Sequence, residues 1–355
     1  MQLVLYISSV LLGYHLSSSK KNSLNRIVAL LFFGCIFFFV LNSALTIPDA
    51  QNYYFGYGSI DGYYSISSSI LRFVQIPFAR VGISFPTFKA IIYLLFFLFV
   101  SISFKKINAN SYSVILLVLL SILFTSAIQI RNFCATCFLT IGLTFLVKGD
   151  KSNRLKYLFF YILACLFHTS FVVYAIFLIP FPKNKRTRRV LFGILTFIFL
   201  VAFITLFFNK NIFLNLVLRF GFFDEEKVAY YTSSVTKLGP IIVLLTQIFT
   251  ITMFYSCFKR LKKKNEKSSN YLERILFLNV LAFSLCCFSL FDLNFYRLIR
   301  NIAFINFAGI TIFWDKNKKV INTASLLSYM YWVLWFIVDV FLLHSFQQIV
   351  TPFFN

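Results

Sequence analysis

Apolar runs recur along the whole sequence, at about 1 to 16, 27 to 46, 86 to 104, 111 to 130, 132 to 148, 157 to 181, 190 to 208, 239 to 258, 275 to 293, 301 to 314 and 320 to 345. A hydrocarbon core about 30 Å thick takes about 20 apolar residues per helix. The pattern therefore predicts an all-α, polytopic membrane helical bundle with about ten full spans. No polar stretch is long enough for a separate soluble domain, so residues 1–355 are expected to form a single transmembrane domain. The first run, Met1 to Leu16, has neither a basic flank before it nor a small-residue cleavage site after it, and is expected to be retained as a span. No internal repeat is evident.

Between the apolar runs lie six basic clusters: Lys20 to Arg26, Lys105 and Lys106, Lys148 to Lys156, Lys183 to Arg189, Lys259 to Arg274, and Lys316 to Lys319. Lys and Arg in short loops are held in the cytoplasm, which puts both termini outside. Residues 157–181 break the alternation, because a basic cluster stands on each side of them. One crossing would carry one of those clusters outside. Twenty-five helical residues rise about 37 Å, long for one span but suited to two half-helices. A half-helix hairpin is expected, with its turn in the polar run Phe167-His168-Thr169-Ser170. Non-helical backbone at that depth must be buried in protein or line a wet cavity.

Composition fits this picture: 59% of residues are hydrophobic and 13% charged, against about a quarter charged in soluble domains. The net charge of +23 is mostly accounted for by the cytoplasmic clusters, so it reports topology and gives no case for nucleic acid. The seven cysteines lie in or beside apolar segments, spaced for neither a disulfide framework nor zinc. Two loops assigned outside, about 47–85 and 209–238, are long. In the first, Ser65 to Gly82 has the rhythm of an amphipathic helix at the membrane interface.

His168 is a titratable ring in an apolar segment, beside the hydroxyls of Thr169 and Ser170. It is either a functional group or a hydrogen-bonding contact between helices. Arg131 interrupts the apolar stretch from 111 to 148, between Gln129 and Asn132. A helix-end arginine can snorkel to water. Arg297 and Arg300, one helical turn apart at the same expected level, favour the other reading, in which guanidinium forks grip a diphosphate. Asp49, Tyr53 and Tyr54 follow Pro48 just outside the second run; the tyrosines would stack on sugar rings or sit in an interfacial belt. Asp61, Asp292, Tyr230 and Tyr231 are weaker candidates of the same kind, and Asp339 is expected to serve packing. No phosphate-cradling Gly-rich loop, aspartate cluster or HExxH is present, which argues against cytosolic nucleotide chemistry.

The series Pro48-Asp49…Asn52-Tyr53, Arg131 with Ala135, Ala164…Phe167-His168-Thr169-Ser170 and Asn294-Phe295-Tyr296-Arg297 resembles the EpsG family, among the Wzy-type polymerases of bacterial surface polysaccharide. Arg131 and Gly142 also have a spacing similar to one in O-antigen polymerases. Where the family carries Gly-Phe-Glu, this chain has Gly62-Tyr63-Tyr64. The resemblance implies a metal-independent membrane glycosyltransferase, like other lipid-diphosphate-dependent enzymes. It would transfer a growing glycan from undecaprenyl diphosphate to the next lipid-linked repeat unit at the outer face of the plasma membrane.

On that implication His168 and Arg131 are catalytic, while Arg297, Arg300, Asp49, Tyr53 and Tyr54 bind substrate. No cofactor is needed, because the phosphoester-activated sugar supplies the energy. The expected partners are the undecaprenyl-diphosphate-linked oligosaccharide, a chain-length regulator, a flippase and the lipid bilayer. A flippase or other transporter, or an acyltransferase acting on surface sugars, are the alternatives. The first predicts paired halves with a charged through-path, and the second needs access from the inner side.

Single cysteines placed at Ser152 and Asn184, in a background lacking the native seven, are expected to resist an impermeant thiol reagent in intact cells. Labelling of either one contradicts the hairpin.

Overall fold

A computed structural model of the protein describes residues 48–58, 70–149, 152–182, 184–208, 238–290, 293–317 and 322–339. Among these residues the structure is all-helical, with no strand. Five helices are long and apolar enough to cross a bilayer: Phe85–Ile107, Ile130–Lys148, Arg186–Thr205, Leu238–Lys263 and Ser269–Leu290. Leu94, Leu98 and Ile102 on the first, and Ile194, Phe197 and Val201 on the third, are exposed. Apolar stripes of this length suit contact with lipid. The chain is an integral membrane protein. The expected spans 1–16 and 27–46 and the loop 209–237 lie outside the described residues.

Backbone contacts group the described residues into two compact units, the first reaching Val172 and resuming at Trp335, the second covering Val173–Leu334. Unit one contains α1 (Pro48–Phe55), α2 (Leu71–Arg80), α3 (Phe85–Phe104), α4 (Ser111–Ser121), α5 (Leu123–Ile128), α6 (Ile130–Lys148) and α7 (Asn153–Phe167). The expected amphipathic helix is α2: Leu71 and Gln75 are buried while Phe73 is exposed. Gln75 Nε2 donates to the carbonyl of Gly56 (3.2 Å), tying α2 to the end of α1.

The expected span 111–130 is two helices, broken at Ile122 and again at Gln129, where φ is −105° and ψ 69°. Ser121 Oγ donates to the carbonyl of Leu117 one turn back, a bond that bends helices. Thr125 Oγ1 donates to the buried Asp339 carboxylate, which gives that acid the packing role expected of it.

α6 is the core of unit one. Thr140 and Thr144 satisfy their hydroxyls on its own carbonyls, at Thr136 and Ile141, which suits a helix buried nearly all round, while the buried Thr136 hydroxyl has no hydrogen-bond partner among the described residues. Cys134 and Cys137 are buried, free thiols within it. Gly149, at φ 83°, ends the helix as a left-handed cap.

Unit two contains α8 (Lys185–Phe208), α9 (Leu238–Lys263), α10 (Ser269–Ala282), α11 (Arg297–Arg300), α12 (Ala303–Lys316) and α13 (Thr323–Ile337), whose last turn belongs with unit one. α10 continues as a 3-10 helix, Phe283–Leu290. Gly309 lets α12 approach α9 and α10, since a β-carbon there would meet the Phe254 ring at 2.6 Å and Ile275 at 2.9 Å. Buried amides bind α10 to α12: Asn279 Nδ2 donates to Asn306 Oδ1 (2.8 Å), and Asn306 Nδ2 donates to Asn279 Oδ1 (3.1 Å) and the Tyr331 hydroxyl (2.8 Å). In an apolar medium such a pair holds two helices at one register. The run 301–314 is met by the 14-residue α12, and 320–345 by the 15-residue α13, with residues 320–321 and 340–345 outside the described part.

Asn306→Leu removes both bonds to the Asn279 amide and the bond to the Tyr331 hydroxyl. It is expected to cost about 1–3 kcal/mol of stability, with part recovered in Asn279→Leu/Asn306→Leu. Thermal melts of the purified protein read this directly, and an unchanged melt for Asn306→Leu would show the amide pair to be dispensable.

Candidate functional site

The site in unit one follows from how closely α6 and α7 pack. A β-carbon on Gly142 would meet the Tyr157 ring at 3.0 Å and Phe160 at 3.3 Å, so the absent side chain lets the helices touch. Phe145 stacks on Phe160 (5.8 Å) and Phe138 lies against Phe167 (5.3 Å), which makes the pair antiparallel. The Arg131-to-Gly142 spacing therefore has a packing cause at its glycine end. Arg131 lies eleven residues before Gly142, and His168 eleven after Tyr157. In an antiparallel pair these are equal rises of about 16 Å in the same spatial direction. The register thus carries Arg131 and His168 to one level.

The chain turns at that level. α7 ends at Phe167, and His168 is extended, with φ −151° and ψ 112°. A 3-10 helix, Thr169–Leu178, follows. The Tyr161 hydroxyl donates to the carbonyl of Val172 at 2.8 Å, across eleven residues. An uninterrupted helix would separate those residues by about 16 Å along its axis, so the chain has doubled back. The expected turn is where the sequence placed it, but its second leg is 3-10 rather than α-helical.

The exposed backbone of the turn is satisfied locally. The amide of His168 donates to the carbonyl of Ala164 (2.9 Å), and the amide of Phe171 donates to the carbonyl of His168 (3.0 Å). The amide of Ile70, at the start of α2, donates to the carbonyl of Leu166 (3.2 Å), so the amphipathic helix begins beside the turn.

The half-buried imidazole of His168 rests against Phe171, 5.9 Å between ring centres, and its Nδ1 is 2.8 Å from Ser170 Oγ. When Nδ1–H donates to that hydroxyl, the lone pair lies on Nε2, the arrangement a general base requires. Arg131 is half-buried in the first turn of α6, directly after the non-helical Gln129.

In unit two, the 3-10 turn Leu293–Tyr296 leads into the single turn of α11. Arg300 is buried and donates from Nη1 to the Tyr296 hydroxyl (2.9 Å), with its guanidinium 5.3 Å from the Tyr296 ring centre. Arg297, half-buried, accepts at its carbonyl the amide of Asn301 (2.8 Å). The Tyr174 hydroxyl donates to the carbonyl of Leu298 between the two arginines (2.7 Å), fixing the turn that carries them.

Tyr53 and Tyr54 lie on α1, Tyr53 half-buried and Tyr54 exposed; Tyr54 packs edge-on against Phe55 and Phe85. Asp49 is on the same helix, but its side chain is outside the described residues, as are Asp61, Asp292, Tyr230 and Tyr231. Ser170, which stands out in the sequence beside His168, holds its imidazole, whereas Tyr296, which holds Arg300, does not stand out there. The signal available was proximity in sequence, two residues in one case and one helical turn in the other.

No curated protein and no solved structure matches the chain. A family model does, the EpsG family, over residues 27–350. The match covers nearly the whole sequence, so the chain belongs to the EpsG family, membrane proteins linked to exopolysaccharide biosynthesis.

Proposed function

We propose that this protein is a polymerase of surface polysaccharide acting at the outer face of the plasma membrane. Its substrates are a glycan on undecaprenyl diphosphate and the next lipid-linked repeat unit. The supporting observation is the common level of Arg131 and His168 at a membrane turn, with Nδ1 of the histidine held by Ser170.

In the reaction, a sugar hydroxyl of the incoming unit attacks the anomeric carbon of the lipid-linked glycan. Its proton passes to Nε2 of His168 as the new carbon–oxygen bond forms. The bond from the anomeric carbon to the diphosphate breaks, and the departing lipid diphosphate carries the electron pair. Arg131 neutralises that charge, which grows in the transition state, and Arg297 and Arg300 are candidates for binding substrate. Tyr53, Tyr54 and Asp49 offer stacking and hydrogen bonding to the sugars. The activated sugar provides the driving force.

Loss of Arg131 should weaken both substrate binding and leaving-group departure, at about 1.5–3 kcal/mol for each charge-assisted bond. His168→Gln should spare donor binding and slow transfer by about 100-fold to 10,000-fold. Ser170→Ala should lower the rate less and leave the Michaelis constant near the wild-type value.

Cells carrying these variants, once membrane insertion is verified, should lose long polymer and accumulate the single repeat unit on its lipid carrier in the outer leaflet. An outer-leaflet protection assay reads this. If the lipid-linked unit stays on the inner leaflet, the protein is a transporter. If His168→Gln polymerises at the wild-type rate, the base is elsewhere and Asp49 is the next residue to replace.

A further inference from the structure

Lys89 lies on the second turn of α3, is 1% exposed, and its Nζ has no hydrogen-bond partner among the described residues. An ammonium buried without a partner in an apolar setting is costly, and lysines so placed usually pair with an anion. Asp339, the buried carboxylate among the described residues of unit one, accepts from Thr125.

The level of Lys89 follows from the packing of α3 on α6. Tyr93 stacks on Phe133 with ring centres 4.0 Å apart, Phe96 meets Phe138 at 5.1 Å, and Lys106 stands over Phe145 at 3.9 Å. The two helices therefore run parallel, and Lys89, one turn before Tyr93, is level with residues 129–131. Long helical side chains lean toward the helix N-terminus. That lean carries the ammonium toward the break at Gln129, where the 19-residue α6 begins.

Three positive features thus share one level in unit one: Lys89, Arg131 and the positive end of the α6 dipole. His168 lies at that level too. We infer that Lys89 and the N-terminus of α6 form a phosphate-binding subsite that takes a phosphate of a lipid diphosphate. This rests on the polymerase reading for the identity of the lipid, but not for the presence of the anion site. Binding would supply the partner that Lys89 lacks among the described residues.

The test uses the full-length chain purified in a neutral detergent, as wild type, Lys89→Met and Lys89→Arg. The probes are undecaprenyl diphosphate, inorganic pyrophosphate and phosphatidylglycerol. Without a probe, Lys89→Met should melt at or above the wild-type temperature, because an unpaired charge has been removed. It should bind undecaprenyl diphosphate and pyrophosphate at least about tenfold more weakly, while Lys89→Arg stays within about threefold of wild type.

Weakening confined to phosphatidylglycerol overturns the inference in favour of a bilayer headgroup. Unchanged affinity for all three probes, or a Lys89→Met protein that melts below wild type without a probe, shows that the lysine is structural. The polymerase reading fails separately. Wild type that binds the diphosphate through Lys89 yet joins no repeat units keeps the subsite and loses the polymerase; polymerisation with no Lys89 effect on binding does the reverse.

Discussion

A β-carbon on Gly142 would stand 3.0 Å from the Tyr157 ring and 3.3 Å from Phe160, so the glycine lets α6 and α7 approach closely. That approach fixes the register of α6 against α7, and with it the height at which each helix ends. A larger residue would press on Tyr157 and Phe160. The stacking of Tyr93 on Phe133 sets α3 to the same scale. Arg131, His168 and Lys89 come from three helices, and these packing contacts bring them to a common level.

A membrane limits where such a level can be built. Backbone amides and carbonyls away from water need partners inside the protein. At His168 the helix stops, yet its amide and carbonyl are bonded to Ala164 and Phe171, and the carbonyl of Leu166 receives the amide of Ile70. At Gln129 the chain breaks and restarts as α6 one residue later. Irregular backbone thus occurs at His168 and directly before Arg131. Unit two follows the same rule, with Arg297 and Arg300 on a single turn after a 3-10 segment, held by Tyr174 and Tyr296.

Much of this was legible in sequence because charge is informative in a membrane protein. Basic residues on both sides of 157–181 required a turn, and His168 with its polar neighbours marked its place. Gln129 beside Arg131 marked the start of α6. The split of 111–130 at Ile122 was hidden, since no glycine or proline stands there. Nor does the sequence separate a 3-10 leg from an α-helical one in Thr169–Leu178, where nearly every residue is apolar and no periodicity stands out. Lys89 passes for an ordinary charge near the start of a span, and only packing reveals that it is buried. Register between helices has no signature in one sequence, so the common level could not be read from it.

In the proposed function a lipid diphosphate leaves as each repeat unit is joined. This is tested most directly with purified full-length protein in proteoliposomes, supplied with a synthetic undecaprenyl-diphosphate-linked repeat unit and no nucleotide. Glycosidic bonds and released undecaprenyl diphosphate are measured together over time. A polymerase gives a ladder of polymer with one lipid diphosphate freed for each bond formed. Movement of the intact lipid-linked unit between leaflets, with no diphosphate freed and no bond made, would contradict the proposed function.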